Sequence, residues 1–172
     1  MPRTKNRTYL YYVEGECERA LINTLRNPKV GKLVSGKVKV LNPLTQTLTS
    51  FDLLNIRANT TIILVYDTDV KNDLSILKEN IKKLKGIGPK VINIQQNKNF
   101  EDEILRASSK IEKIDEVFGT SSLDEFKKSF LSCQNLMDKL NKIGFDIKGV
   151  WTLKNKEGKW SNFWDDPNYI KL

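Results

Sequence analysis

The chain has 172 residues, of which 29 are Lys or Arg, 21 are Asp or Glu and none is His, so its formal net charge is +8. The lack of His excludes Ser-His-Asp and Cys-His catalysis and His-ligated zinc, while the positive charge favours polyanionic partners. The basic start, MPRTKNR, has no apolar secretory block, and no apolar run approaches the ~20 residues of a membrane span. We therefore expect a cytoplasmic protein without a membrane partner.

Strand and helix patterns alternate along the first hundred residues. Strands are short and rich in β-branched or aromatic residues, and helices repeat apolar residues at three- and four-residue spacing. In chain order, the pattern predicts strand 8–13, helix 16–25, strand 36–43, helix 48–56, strand 60–67, helix 74–84 and strand 90–95. This alternation predicts an α/β fold, namely a Rossmann-like parallel sheet with helices on both faces.

The pattern changes after Phe100. Helices are predicted over 101–107 and 123–140, followed by a strand at IKGVWTL, residues 147–153. The last thirty residues are rich in Lys and aromatic side chains. We expect an α/β core over 1–110 and a helical, basic extension over 111–172 that packs on the same domain.

Acidic residues follow two of the predicted strands. Glu14 and Glu16 come after the first strand, Glu18 begins the next helix, and Asp67 and Asp69 end the third strand. In a parallel sheet, functional groups collect beyond the carboxyl ends of the strands. Each acid alone is more simply a helix cap or turn residue. As a group, carboxylates ~4 Å apart repel by roughly 4 kcal/mol, so a cation such as Mg²⁺ or Mn²⁺ is expected between them.

Two segments carry a resemblance to a known family. YYVEGECE, residues 11–18, and ILVYDTD, residues 63–69, resemble the Toprim domain of topoisomerases, bacterial primases and several nucleases. In that family one strand ends in Glu-Gly and a later strand ends in Asp-x-Asp. A third segment, NKNFEDEILRAS at 97–108, is similar to RloB-like Toprim proteins of phage-defence loci. The resemblance covers roughly residues 9–103.

The resemblance implies roles for the acids. Glu14 would be a metal ligand or general acid/base, while Asp67 and Asp69 would hold one or two Mg²⁺ or Mn²⁺ ions. Glu18 matches the second acid of the nuclease branch. One of three consecutive acids would complete the site, with the first of them favoured: Glu101, Asp102 or Glu103.

The resemblance implies a Mg²⁺-dependent nuclease that cleaves RNA or DNA and acts as a phage-defence effector. The chain is too short for a topoisomerase, and two Cys without His cannot build a primase zinc domain. Tryptophans in the extension could pack on the core or stack on bases, and packing is the more frequent use. The residues assigned to nucleic-acid binding are Lys71, Lys98, Lys148, Lys154, Lys156, Lys159 and Trp160.

Other functions stay open. The chain could be a catalytically silent or partner-gated nucleic-acid-binding subunit, for example of a defence ATPase. DTDVK also resembles the motif of haloacid-dehalogenase-type phosphatases, although Lys71 occupies the Thr/Val position and the motif lies on the third strand. A response-regulator receiver would need a Lys after a fifth strand, and only helices are predicted there.

Overall fold

Four parallel strands form the centre of the fold in the computed structural model, which describes residues 7–71, 73–155 and 158–172. Their order across the sheet is β2-β1-β3-β4. The strands are β1 (Thr8–Val13), β2 (Lys37–Val40), β3 (Thr60–Asp67) and β4 (Lys90–Gln96). The predicted parallel α/β architecture is therefore confirmed.

Six α-helices of the described residues cover the two faces of the sheet. They are α1 (Glu16–Leu25), α2 (Ser50–Leu54), α3 (Ser75–Ile87), α4 (Phe100–Arg106), α5 (Leu123–Ser132) and α6 (Leu136–Lys142). Side chains of α1, α4, α5 and α6 share one buried cluster with alternate residues of β1, while α3 belongs to the cluster on the other face. Within the described residues, none of the helices combines the length and apolar character needed to cross a membrane.

The central strands are buried on both faces, which explains their continuous apolar sequence. In β1, Tyr11 and Val13 join the cluster under α1, and Leu10 and Tyr12 join the one under α3. The β1–β3 register pairs Val13 with Val65. The residues that follow these two positions therefore emerge side by side at the carboxyl edge of the sheet.

Two predictions for the extension are wrong in detail. The helix predicted over 123–140 is two helices, α5 and α6, because the backbone at Cys133 is extended, with ψ of 111°. The strand predicted at 147–153 does not form within the described residues, where a 3₁₀ turn at Ile147–Gly149 stands instead. Trp151 has a left-handed backbone, with φ of 59°, which a strand cannot accommodate. Three of the apolar residues that suggested a strand, Ile147, Val150 and Trp151, are core residues of an irregular segment, while Leu153 is exposed.

The extension shares its core with the first 110 residues. Phe126, Phe130 and Leu140 lie in the same buried cluster as β1 and α1. Further along the chain, Asp165 covers the outer edge of β4. Its backbone N–H donates to Asn93 O at 3.0 Å, and its carboxylate accepts from Asn93 N–H at 2.7 Å. The segment therefore closes the core and one sheet edge.

Candidate active site

The ends of β1 and β3 bring the first two predicted acids together. Glu14 directly follows β1, and its Oε2 accepts a hydrogen bond from the backbone N–H of Asp67 at 3.1 Å. This contact spans 53 positions in sequence and exists because the two strands are neighbours in the sheet. The convergence of Glu14 and Asp67 at the carboxyl edge, which was predicted because the strands are parallel, is confirmed.

Helix α1 supplies the third acid. The helix begins immediately after Gly15, and its first turn carries Glu16 and Glu18. Glu18 is only 6% exposed, and a Cβ at position 15 would lie 3.1 Å from its Oε2. A side chain at this position would crowd Glu18. Gly15 therefore lets the Glu18 carboxylate lie close to the turn that joins the strand to the helix.

Helix α4 supplies a fourth carboxylate, with a cation beside it. Asn99 caps the helix by accepting from Asp102 N–H at 3.0 Å, and Glu101 lies in the first turn. Lys127, from α5, places its Nζ 3.3 Å from Glu101 Oε1. These groups surround a cavity of about 260 Å³. The charged side chains that line it are Glu14, Glu16, Glu18, Asp67, Glu101 and Lys127.

Negative charge in this cavity is poorly compensated. Burial raises the pKa of Asp67 to about 9, and the carboxylates of Glu14, Glu18, Asp69 and Glu101 add to the rise. Burial also raises the pKa of Glu18 to about 7. Asp67 Oδ1 is buried and has no hydrogen-bond partner among the described residues. Without a metal ion, the cavity therefore favours the protonated form of the Asp67 carboxyl at neutral pH.

The three consecutive acids of α4 have different places. Glu101 lines the cavity, whereas Asp102 is half-buried and its N–H belongs to the helix cap. Glu103 is 1% exposed and ties distant segments together. It accepts from Asn97 N–H at 2.7 Å and Trp151 N–H at 2.6 Å, and it pairs with Arg106 at 2.6 Å. Glu101 is thus the one of the three that lies where the resemblance requires an acid.

Asp69 lies at the exposed rim rather than in the cavity. Its backbone N–H donates to Lys98 O at 3.1 Å, and its Oδ2 is 3.5 Å from Asn99 Nδ2. It is absent from the described residues that line the cavity. Its charge nevertheless raises the pKa of Asp67.

Sequence reasoning missed two residues of the cavity, Lys127 and Cys17. Lys127 arrives from α5, far along the chain, and the segment LDEFKKSFLS carries no motif that marks it. Burial alone would lower the pKa of Lys127, but the nearby Glu101 raises it overall. Burial raises the pKa of Cys17 to about 11, so its thiol stays protonated. Only tertiary packing identifies either residue.

The residues fit a hard divalent cation by chemistry, although they are not prearranged for one. Carboxylate oxygens are the preferred ligands of Mg²⁺ and Mn²⁺, and the unpartnered Asp67 Oδ1 is one such donor. Across residues 7–71, 73–155 and 158–172, however, no three Asp, Glu or Cys side chains are already grouped to hold a metal ion. Binding of a metal ion would therefore require carboxylates that line the cavity to move closer together.

The residues assigned to nucleic-acid binding are dispersed. Lys71 and Lys98 are exposed in the loops after β3 and β4, near the cavity edge. Lys148 and Lys154 are exposed on the extension, and Lys156 lies outside the described residues. Lys159 Nζ donates to Val70 O at 3.0 Å, which places it beside the loop after β3.

Trp160 is a correction to the predicted set. Its side chain is 7% exposed and stacks on Tyr66, with ring centroids 5.8 Å apart. Trp151 is also buried, at 2%. Base stacking needs an exposed ring face, so Trp160 is a core residue and not a stacking platform. The more frequent use of tryptophan, as a packing anchor, holds for both residues.

Comparison with protein-family models, with curated proteins and with solved structures finds no match for this chain. The Toprim resemblance therefore rests on the three short segments and stays a prediction. What the structure adds is their arrangement: the first two segments end neighbouring strands, and the third begins the helix that brings Glu101 to the same cavity.

Proposed function

We propose that this protein is a metal-dependent nuclease of the Toprim type, which hydrolyses phosphodiester bonds at the cavity on the carboxyl edge of its sheet. The observation that carries the proposal is the convergence of Glu14, Glu18, Asp67 and Glu101, from four separate elements, on one cavity. The buried, unpartnered Asp67 Oδ1 supports it, since such an atom is costly without a ligand. Mg²⁺ or Mn²⁺ is the cofactor, as one or two ions.

In this mechanism the chain's own side chains bind and orient. Asp67, Glu18 and Glu101 would hold the cation, and Asp69 would join them from the rim if the loop after β3 moved inward. A bound divalent cation supplies charge neutralisation for the scissile phosphate and lowers the pKa of a coordinated water. Glu14, at the mouth of the cavity, accepts the proton of the attacking water. The bond from phosphorus to the water oxygen would form, the bond to the leaving sugar oxygen would break, and that oxygen would take up a proton from solvent water.

The first experiment is a cleavage assay with labelled transfer RNA, single-stranded RNA, plasmid and single-stranded DNA in Mg²⁺, Mn²⁺ or EDTA. We expect metal-dependent cleavage of at least one substrate, which identifies RNA or DNA as the target. Asp67→Ala should abolish it. The matched control is Glu79→Ala, because Glu79 is an acid of α3 that pairs only with Lys83 on the surface. Cleavage that survives in Asp67→Ala, or that needs no metal, contradicts the proposal.

One observation favours a second candidate, a partner-gated or silent nucleic-acid-binding module. Lys127 already pairs with Glu101 at the cavity, and a lysine ammonium partly replaces the charge of a cation. In that state the site would be inactive until a partner, such as a defence ATPase, moved α5 away from the cavity. The cleavage assay separates this candidate from the first, because a gated or silent protein does not cleave without its partner. Lys127→Ala then separates the two forms of the second candidate, because it should release cleavage in a gated enzyme and change nothing in a silent module. The phage-defence role depends on the resemblance alone.

A further inference from the structure

A second and larger groove lies at the opposite, amino-terminal edge of the sheet. Its volume is about 790 Å³, within the range of ligand-binding clefts. It is formed by the starts of β1 and β3, the segment leading into β2, and the carboxyl end of α1. Because the strands are parallel, their amino-terminal ends lie together at this edge of the sheet. The acids that follow their carboxyl ends lie together at the opposite edge.

The charge of this groove is strongly positive. A single carboxylate, from Asp52, lies along it. The cations that line it are Arg7, Arg26, Lys37, Lys39 and Arg57. Lys37 and Lys39 project on the same face of the sheet, because they are two residues apart on β2, where they pair in register with Leu10 and Tyr12.

These cations are not neutralised by the protein itself. Within the described residues, none of the five forms an ion pair with a carboxylate. Asp52, the nearest acid, is engaged as the capping residue of α2. Its Oδ2 accepts from Thr49 N–H at 2.9 Å and from Thr49 Oγ1 at 2.7 Å, and these hydrogen bonds lower the pKa of its carboxyl. The groove therefore presents five cations and one ionised carboxylate, a net charge of +4, to an external anion.

An exposed aromatic ring lies on α2, the helix that contributes Asp52 to the groove. Phe51 precedes Asp52 on α2, is 75% exposed, and none of the residues of α2 is buried. Leu54 on the same helix is 78% exposed. A line of cations beside an exposed aromatic side chain is the combination by which proteins bind single strands, because the cations follow the phosphates while unpaired bases stack.

We propose that the groove at the amino-terminal edge binds the sugar-phosphate backbone of a single-stranded nucleic acid, with Phe51 stacking on a base. The groove starts at the amino-terminal end of β1, about 20 Å from Glu14 for six residues at ~3.3 Å each, and it extends along β2 to Lys39, which is level with Tyr12. The groove would therefore contact a different part of the bound nucleic acid from any part that reaches the acidic cavity. The inference stands apart from the proposed function, because binding can be measured without metal and without cleavage.

The experiment is fluorescence anisotropy of labelled single strands of about 12 nucleotides, a length suited to one such groove, in EDTA at several salt concentrations. The test variant is the triple substitution Arg7→Gln, Lys37→Gln and Arg57→Gln. The control removes the same charge from exposed positions of α3, through Lys78→Gln, Lys82→Gln and Lys85→Gln. All six side chains are exposed, so both proteins should fold.

We expect the groove variant to bind at least about tenfold more weakly, with the slope of log K against log salt reduced by about 2, because each lost phosphate contact contributes about 0.7. The control should lose less than about threefold, through reduced net charge alone. Equal losses in the two variants, or no loss in either, overturn the proposal. If the groove variant fails to fold, the single change Arg57→Gln takes its place with one third of the slope change.

Two further measurements test whether the ligand of the groove is a single-stranded nucleic acid. Phe51→Ala should weaken binding of single strands several-fold without changing the salt slope, since stacking releases no counterions. Duplex DNA should be insensitive to this change. If ATP competes as well as a single strand at equal phosphate concentration, the groove is a nucleotide pocket and the proposal for a strand backbone is wrong.

Discussion

The two edges of one sheet carry opposite charge, and they differ as much in burial as in sign. At the carboxyl edge, the acids lie in a small cavity where Glu18 is 6% exposed. At the amino-terminal edge, the cations stand in an open groove, and Arg7, Lys37 and Arg57 are all exposed. Desolvation makes charges interact strongly and shifts their pKa values, whereas exposed charges act through long-range attraction. The first environment suits chemistry on a bond, and the second suits reversible contact with a polyanion.

The strongest test of this contrast compares one variant from each edge. Asp67→Asn should reduce cleavage at saturating substrate by about 1000-fold, or about 4 kcal/mol, and leave affinity in EDTA unchanged. The groove triple variant should weaken affinity and leave cleavage at saturating substrate unchanged. The measurement is single-turnover kinetics over a range of enzyme concentrations. If both variants affect the same parameter, the division of labour between the edges is wrong.

At the acidic edge, two neighbouring acids of α4 should have different roles, one in stability and the other in cleavage. Glu103→Ala should lower the free energy of unfolding by about 3 kcal/mol, because it strands Arg106 and removes hydrogen bonds to the backbone at Asn97 and Trp151. Glu101→Ala should change stability by less than about 1 kcal/mol and abolish cleavage, since its one ion pair among the described residues, with Lys127, is offset by repulsion from neighbouring carboxylates. Urea unfolding of both variants checks this. Equal stability losses would show that Glu101 is structural as well.

The pH dependence of stability should reveal the uncompensated acids. Folding raises the pKa of Glu18 from 4.5 to about 7 and that of Asp67 from 3.8 to about 9. The unfolded chain therefore releases these protons first, and the metal-free protein should lose stability as pH rises from about 4 toward 9. For Glu18 the loss is on the order of 2–3 kcal/mol by pH 7.

Urea unfolding in EDTA between pH 5 and 8 measures this loss, with Asp67→Asn as the comparison. The variant cannot ionise at position 67, so its stability should fall less steeply over the same range. A wild-type profile that is flat or rises with pH contradicts the charge repulsion described for the cavity.

The smallest effect expected is stabilisation by metal. Mg²⁺ at ten times its dissociation constant should stabilise the native protein by about 1.4 kcal/mol. Thermal unfolding with and without Mg²⁺ measures this, and Asp67→Ala should remove the shift while the groove variant keeps it. A shift that persists in Asp67→Ala would place the cation somewhere other than the cavity.

Much of the fold could be predicted from local sequence. Continuous apolar strands such as TTIILVYD and the periodic helix at Glu16–Leu25 match their predicted bounds, because burial on two faces or one leaves a direct pattern. The convergence of Glu14 and Asp67 follows from strand order once the sheet is parallel. Neighbours in sequence determine the bounds of these elements, whereas the contact between Glu14 and Asp67 joins positions 53 apart and depends on two strands lying side by side in the sheet.

The features that were missed depend on tertiary contacts. Trp151 donates its backbone N–H to Glu103, 48 positions away, so the apolar residues around it pack in a loop instead of a strand. Lys127 reaches the cavity only because α5 packs against α1. The basic groove at the amino-terminal edge joins four separate segments, and none of them carries a motif by itself. No local pattern in a single sequence indicates contacts between such distant segments.

Asp165 on the outer side of β4 has a consequence for how these molecules behave at high concentration. An open strand edge is a template on which another chain can add a strand and begin an aggregate. Here the N–H and O of Asn93 are both occupied by Asp165, and a carboxylate stands where an incoming strand would pair. The opposite edge, β2, is four residues long and carries Lys37 and Lys39. Both flanks of the sheet are thus protected against edge-to-edge assembly, one by a covering loop and the other by charge.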